Sequence, residues 1–157
     1  MSSTEKVSAT IQNLESAFAG ESMAYIKYMY FAKVCRAQGD ETTAKVFEET
    51  ATQEVQHAFG HLDLLMPKAE LTPAKCLEFA IEGETHEYTE MYPSFRHMAV
   101  QEQNDDAVRE FDEQIEESKE HAQQFMNTLK KAEKRFAALA KVEEKHANHY
   151  RETLASL

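Results

Sequence analysis

Residues 83–93 read GETHEYTEMYP and place three carboxylates, Glu84, Glu87 and Glu90, within two turns of a stretch with helical spacing. Apolar residues such as Met91 recur on the same face, which predicts that this face enters a protein core. A core normally excludes ionised carboxylates, because their desolvation is costly. The acids in this stretch therefore indicate a core that attracts negative charge.

The composition limits the class of protein. The chain has 157 residues with four glycines and three prolines, and so few chain-breaking residues favour long helices over strands. We expect an all-α protein with a single domain over residues 1–157. The formal net charge of -11 repels phosphate backbones and anionic lipids, which argues against nucleic-acid and membrane binding.

The cysteines and the N-terminal residues bear on the cell compartment. Cys35 and Cys76 form neither a disulfide framework nor a Cys-x-x-Cys motif, which favours a reducing environment. The N-terminal sequence has no apolar signal core, and no stretch approaches the roughly 20 apolar residues of a membrane span. We therefore expect a cytoplasmic protein.

Helical periodicity predicts three helices in the first two thirds of the chain, at about 5–38, 41–65 and 74–103. Pro93 should remove a hydrogen bond from the third helix and bend it. The stretch 104–106 reads Asn-Asp-Asp and predicts a turn with a capping residue. The inner face of the second helix is predicted to contain Ala44, Phe47, Ala51, Ala58, His61 and Leu65, and Pro67 should lie beyond its end.

The remainder of the chain contains an internal repeat at an offset of 25 residues. REFDEQIEESKEHAQQFMNTL at 109–129, here called repeat A, aligns with KRFAALAKVEEKHANHYRETL at 134–154, here called repeat B. An offset of 25 residues turns a helix by nearly seven whole turns, so an unbroken helix presents both repeats on almost the same face. The alignment pairs Phe111 with Phe136, His121 with His146 and Leu129 with Leu154.

Every predicted helix has acid in its inward stripe. These residues are Glu21 in the first helix, Glu54 with His57 in the second, Glu84 and Glu87 in the third, and Glu143 with His146 in repeat B. Several buried carboxylates at one level would repel one another unless a cation lay between them.

Two bridged divalent metals would offset this charge. Ferritin-like di-iron and di-manganese bundles use a Glu from each of two helices and a Glu-x-x-His from each of the other two. The sequence supplies that set. Oxygen-rich ligation with one imidazole per metal suits iron, or alternatively manganese, better than zinc or copper.

Four segments resemble the rubrerythrin family: AFAGES (17–22), FEETATQEVQH (47–57), GETHEYTEMYPSF (83–95) and AKVEEKHANHY (140–150). The resemblance implies a ferritin-like four-helix bundle with two irons per site. It also implies a homodimeric peroxidase that reduces hydrogen peroxide to water in oxidative-stress defence. The family's four-cysteine rubredoxin domain has no counterpart in this sequence, so we expect an external redox protein to supply the electrons.

The resemblance also implies individual roles. Glu54 and Glu143 would bridge the metals, and Glu87 would be an additional ligand that alternates with His57 as the redox state changes. Tyr28 and Tyr92 would donate hydrogen bonds to the ligand carboxylates.

The repeat departs from the family pattern and leaves the fourth ligand helix open. From Glu21 to Glu54 is 33 residues, whereas the residue 34 positions after Glu84 is Ser118, and Glu143 follows only after 59. One long helix over 105–155 would place repeat B about 37 Å further along, where it could complete a partner chain's site by helix exchange. A hairpin would instead leave the duplicated copy, 105–131, outside the bundle.

In a third arrangement, repeat A fills the position itself with His121 and Glu117. We favour repeat B, because it is the more apolar copy and keeps the Glu-x-x-His pair.

Two other functions fit the same residues. A ferroxidase or iron-handling protein would use the same ligands to oxidise and sequester Fe(II). A helical interaction protein would hold a structural metal and bind a partner through 105–131.

Overall fold

A computed structural model of the protein describes residues 8–66 and 68–155. All the secondary structure in these two ranges is helical, which confirms the predicted all-α class. None of the helices in the described ranges has both the length and the apolar character that crossing a membrane requires. The chain divides into two compact units, Met1–Leu71 and Thr72–Leu157, and the prediction of a single domain stays a prediction.

The first unit contains two long helices, α1 (Ala9–Ala37) and α2 (Glu41–Leu65), followed by a short 3-10 helix (Lys68–Glu70). Gly39 adopts a φ of 84° in the turn between α1 and α2, a left-handed conformation that suits glycine. Asp40 then caps α2 by accepting a hydrogen bond from the backbone N–H of Thr43 at 2.9 Å. The bounds of α2 agree with the prediction. Residues 5–7 of the predicted first helix, and Pro67, lie outside the described residues.

Small side chains allow α1 and α2 to pack closely. Ala44 and Ala51 are both 0% exposed, and Ala32 is 1% exposed. An aromatic cluster of Tyr28, Phe31 and Phe47 lies beside these alanines, with Phe31 and Phe47 centroids 5.4 Å apart. The predicted inner face of α2 is thus confirmed at its alanines.

In the second unit, the predicted helix 74–103 is three consecutive elements: α3 (Pro73–His86), a π-helical turn (Glu87–Met91) and α4 (Tyr92–Gln101). The π-helical turn ends immediately before Tyr92 and Pro93, and a π-helical turn inserts a residue into the hydrogen-bond ladder. This π-helical turn begins six residues before Pro93, and the bend predicted at Pro93 itself stays a prediction. The predicted turn lies at 102–104, two residues earlier than predicted, and its capping residue is Asn104, whose Oδ1 accepts a hydrogen bond from Ala107 N–H at 3.1 Å.

The last helix, α5 (Asp105–Ala155), is continuous over 51 residues. Its N-terminal half packs on α3 and α4 and buries Ser118 and Ala122. Side chains in its C-terminal half are mostly exposed. The structure therefore has the long-helix arrangement and not the hairpin.

Candidate metal centre

The first ligand group consists of Glu21 on α1 and of Glu54 and His57 on α2. One ligand atom from each of the three side chains lies within 4.8 Å of the other two. Both carboxylates are half-buried, and the imidazole is exposed. His57 Nδ1 lies 2.9 Å from Glu54 Oε2, at hydrogen-bond distance. The structure therefore brings together three of the predicted metal ligands.

Helical spacing explains this convergence. Glu54 and His57 are three residues apart and project from neighbouring positions on one face of α2. The same face carries the buried Ala51 and Ala58, so both ligands follow the line of closest approach between α1 and α2. Glu21 reaches that line from α1.

Tyr28, predicted to donate a hydrogen bond to a ligand, is on α1 two turns after Glu21. Its ring contacts Phe47 at a centroid distance of 5.9 Å and Phe31 at 6.5 Å. The structure thus gives Tyr28 an aromatic packing role, and its predicted role toward the ligands stays a prediction.

The predicted ligands of the second unit, here called the second ligand group, are Glu84 on α3 and Glu87 in the π-helical turn, and His121 on α5 lies next to Glu84. His121 Nδ1 lies 3.5 Å from Glu84 Oε1. The other oxygen of Glu84, Oε2, is buried and has no hydrogen-bond partner among the described residues. An unpartnered buried carboxylate oxygen is costly, and a bound cation would satisfy it. Glu87 accepts a hydrogen bond from the Ser118 hydroxyl at 3.0 Å.

The π-helical turn begins at Glu87. Such turns are frequent at functional sites, because the inserted residue changes the direction in which the neighbouring side chains project. Glu84 and Glu87 are three residues apart, so the geometry of this turn affects how the two carboxylates are presented. Sequence reasoning missed the turn, and Pro93 was the one signal of irregularity.

Tyr92 follows the π-helical turn, at the start of α4. Burial raises the pKa of its phenol, and the negative charges of Glu87 and Glu84 raise it further. The phenol therefore stays protonated and can donate a hydrogen bond beside these carboxylates. This electrostatic neighbourhood agrees with the predicted position of Tyr92 near the ligands. The ring also contacts Phe111 at a centroid distance of 6.1 Å.

The sequence model of the rubrerythrin family matches residues 12–129. The chain belongs to the rubrerythrin family. The matched range includes both ligand groups and all of repeat A, and it ends before repeat B. The residues that make the second ligand group with α5 therefore lie inside the family's own region.

Individual rubrerythrins show the same relationship. The chain is 34% identical over 140 residues to rubrerythrin of Porphyromonas gingivalis, covering 82% of this chain and 70% of that protein. It is 34% identical over 135 residues to nigerythrin of Nitratidesulfovibrio vulgaris, covering 76% and 65%. A nigerythrin structure in the fully reduced, all-ferrous state covers 83% of this chain and 71% of that chain, at 31% identity and a TM-score of 0.41.

The ligand chemistry agrees with the family. Rubrerythrins are proteins that hold two irons. The donors in the first ligand group are two carboxylates and one imidazole, a set that suits iron. The unpartnered Glu84 Oε2 indicates the same need for a cation. The residues present therefore fit a di-iron cofactor.

The structure places the two predicted ligands of repeat B elsewhere. Glu143 and His146 are exposed on the C-terminal half of α5, about 37 Å along the helix from Ser118 and His121. Within its own unit, the chain brings His121 of repeat A to Glu84 instead. Glu117, weighed as the accompanying acid, is exposed. The assignment of Glu143 and His146 as ligands stays a prediction.

Proposed function

We propose that the protein is a non-haem di-iron peroxidase that reduces hydrogen peroxide to water with electrons from an external redox protein. The observation that carries the proposal is the first ligand group, whose ligand atoms lie within 4.8 Å of one another in a chain of the rubrerythrin family. The buried, unpartnered oxygen of Glu84 supports it from the second unit. This chain spans 70% of the rubrerythrin and 65% of the nigerythrin named above. The activity of those full-length proteins is therefore a proposal for this chain.

When bound, two ferrous irons would supply one electron each, and hydrogen peroxide with two protons would yield two waters. The chain's own residues hold and orient the cofactor. Glu21, Glu54 and His57 would form one set of ligands, and Glu84 and Glu87 would belong to the other.

The side chains around the ligands orient the ligand carboxylates and can supply protons to the site. Tyr92 keeps its phenolic proton because its pKa is raised by burial and by the nearby carboxylates, so it can donate a hydrogen bond to an oxygen beside them. The Ser118 hydroxyl holds one oxygen of Glu87 at 3.0 Å. A carboxylate held in this way has a defined position when it is not bound to metal.

The partners of this reaction follow from the same proposal. An external redox protein would return electrons to the irons, and a homodimer in the cytoplasm would be the working form.

Anaerobic stopped-flow absorption tests the proposed reaction. The fully iron-loaded, reduced protein is mixed with hydrogen peroxide and, separately, with dioxygen. We expect rapid oxidation of two irons per peroxide and a much slower reaction with dioxygen. An equally fast reaction with dioxygen would favour the iron-oxidising alternative. No change with either oxidant would contradict both and leave a structural metal.

A further inference from the structure

The two repeats of α5 have different surroundings. Repeat A packs on α3 and α4, where Ser118 is 3% and Ala122 is 1% exposed. Most of repeat B extends beyond this contact, and its apolar side chains are exposed, with Phe136 at 62% and Tyr150 at 71%. An exposed apolar stripe along a helix marks an interaction surface.

The stripe on repeat B reproduces the face that repeat A already buries. Equivalent residues 25 positions apart lie on almost the same face of one continuous helix. At the position of closest approach, Ala122 is matched by Ala147, and the half-buried Phe125 is matched by Tyr150. A surface that accepts repeat A therefore has the shape to accept repeat B. That surface, formed by α3 and α4, is here called the α3–α4 surface.

One chemical difference separates the two faces. Repeat A has Ser118 where repeat B has Glu143. Ser118 is a neutral donor to Glu87, which suits a site without metal, because a further carboxylate beside Glu84 and Glu87 would be repelled. With iron present, a carboxylate at this position would be a better ligand than the hydroxyl of Ser118.

We propose that iron drives an exchange of helices between two copies of this chain. Repeat B of one chain replaces repeat A on the α3–α4 surface of the other, and its Glu143 and His146 ligate iron beside Glu84 and Glu87. The occupant of the exposed stripe is the α3–α4 surface of a second chain, because that surface already binds the same pattern of side chains. A two-fold dimer formed in this way has two equivalent sites. The inference rests on the proposed function for the identity of the metal.

Complementation between two inactive variants tests the exchange. The surface variant is Glu84→Gln/Glu87→Gln, and the donor variant is Glu143→Gln/His146→Gln. Both are expressed together with different affinity tags, mixed dimers are isolated, and Fe(II) binding is titrated without oxygen. We expect each variant alone to lose most of its tightly bound iron. The mixed dimer should regain about half of the wild-type amount, because one of its two sites is complete.

Two outcomes would contradict the proposed helix exchange and leave the proposed function unaffected. A donor variant that alone binds as much iron as the wild type would show that repeat B supplies no ligand. A mixed dimer without recovery, from variants that each lose iron, would show that repeat B serves its own chain. The proposed function fails separately, if the iron-loaded wild type does not react with peroxide.

A compensating substitution checks that loss of iron in the donor variant does not come from misfolding. Ser118→Glu places the missing carboxylate on repeat A, next to the existing His121. Added to the donor variant, it should restore iron binding within each chain, without complementation. Glu144→Gln, one position away from Glu143, is the matched control and should keep wild-type iron binding. A failure of Ser118→Glu to restore binding, or an equal loss in Glu144→Gln, would count against the exchange.

Discussion

Ser118 on α5 donates a hydrogen bond to Oε2 of Glu87 in the π-helical turn, at 3.0 Å. The two residues are 31 positions apart, and the bond fastens repeat A to one of the predicted iron ligands. Ser118 is only 3% exposed, so water is a poor substitute for its partner. The contact gives repeat A its place in the metal-free protein.

Removing this hydroxyl should destabilise the metal-free protein. We expect Ser118→Ala to lower the free energy of unfolding by about 1 kcal/mol, because the half-buried Glu87 loses a hydrogen bond. Urea denaturation without metal measures the change. Ser94→Ala, at an exposed position on α4, is the control and should stay within about 0.5 kcal/mol of wild type. Equal stability of both variants would mean that the Ser118 bond contributes nothing.

The repeats should respond differently to an enlarged alanine. Ala122 is 1% exposed, so Ala122→Leu forces a larger side chain against α3 and α4 and should cost about 1–3 kcal/mol. Ala147→Leu makes the same change at the matching position of repeat B, where the helix is largely exposed, and should have little effect without iron. Urea denaturation of both metal-free variants measures the difference. Similar losses in the two would show that repeat B is also packed in the metal-free state.

An ion-pair cluster at the α1–α2 turn should make stability depend on pH. Arg36 donates hydrogen bonds to both Glu41 and Glu48, and these bonds lower the pKa of both carboxyls. A carboxyl with a lowered folded-state pKa stabilises the protein above its unfolded pKa, and this stabilisation is lost as the pH falls through the folded pKa.

Arg36→Gln should therefore lower Tm slightly at neutral pH, and the difference from wild type should vanish well below roughly pH 4. Thermal unfolding followed by circular dichroism across this range measures the effect. Lys33→Gln removes the same charge from an exposed position on α1 and should show a smaller difference at neutral pH. A deficit in Arg36→Gln that persisted in acid would have to come from lost packing of the side chain.

Much of the first unit follows from the sequence. Periodic apolar residues define α1 and α2, and Gly39 supplies the positive φ that the turn between them requires. Alanines at helical spacing predict a close helix pair, and the ligand group of Glu21, Glu54 and His57 follows from the same spacing.

The second unit was harder to predict for two physical reasons. A π-helical turn adds one residue to a helix and has no characteristic residue types. The sequence before Pro93 therefore keeps ordinary helical spacing and does not reveal the π-helical turn at Glu87. Repeats A and B have the same periodicity, so the pattern cannot decide which of them packs. Within one chain, the short turn at 102–104 selects repeat A for packing, because the residues directly after this turn run back along α4.

The first ligand group should control iron binding. Glu54 is grouped with Glu21 and His57, so Glu54→Gln removes a negative charge from the group while keeping the size of the side chain and the helix. We expect the affinity for Fe(II) to fall by at least 10- to 100-fold, the loss found even for residues that only support metal ligands. Anaerobic titration against a competing chelator measures it. Glu49→Gln, on an exposed face of α2, changes the charge equally and should bind iron as the wild type does. If the two variants bound iron equally well, the cluster of Glu21, Glu54 and His57 would be an ordinary helix-pair contact and the iron ligands would have to lie elsewhere.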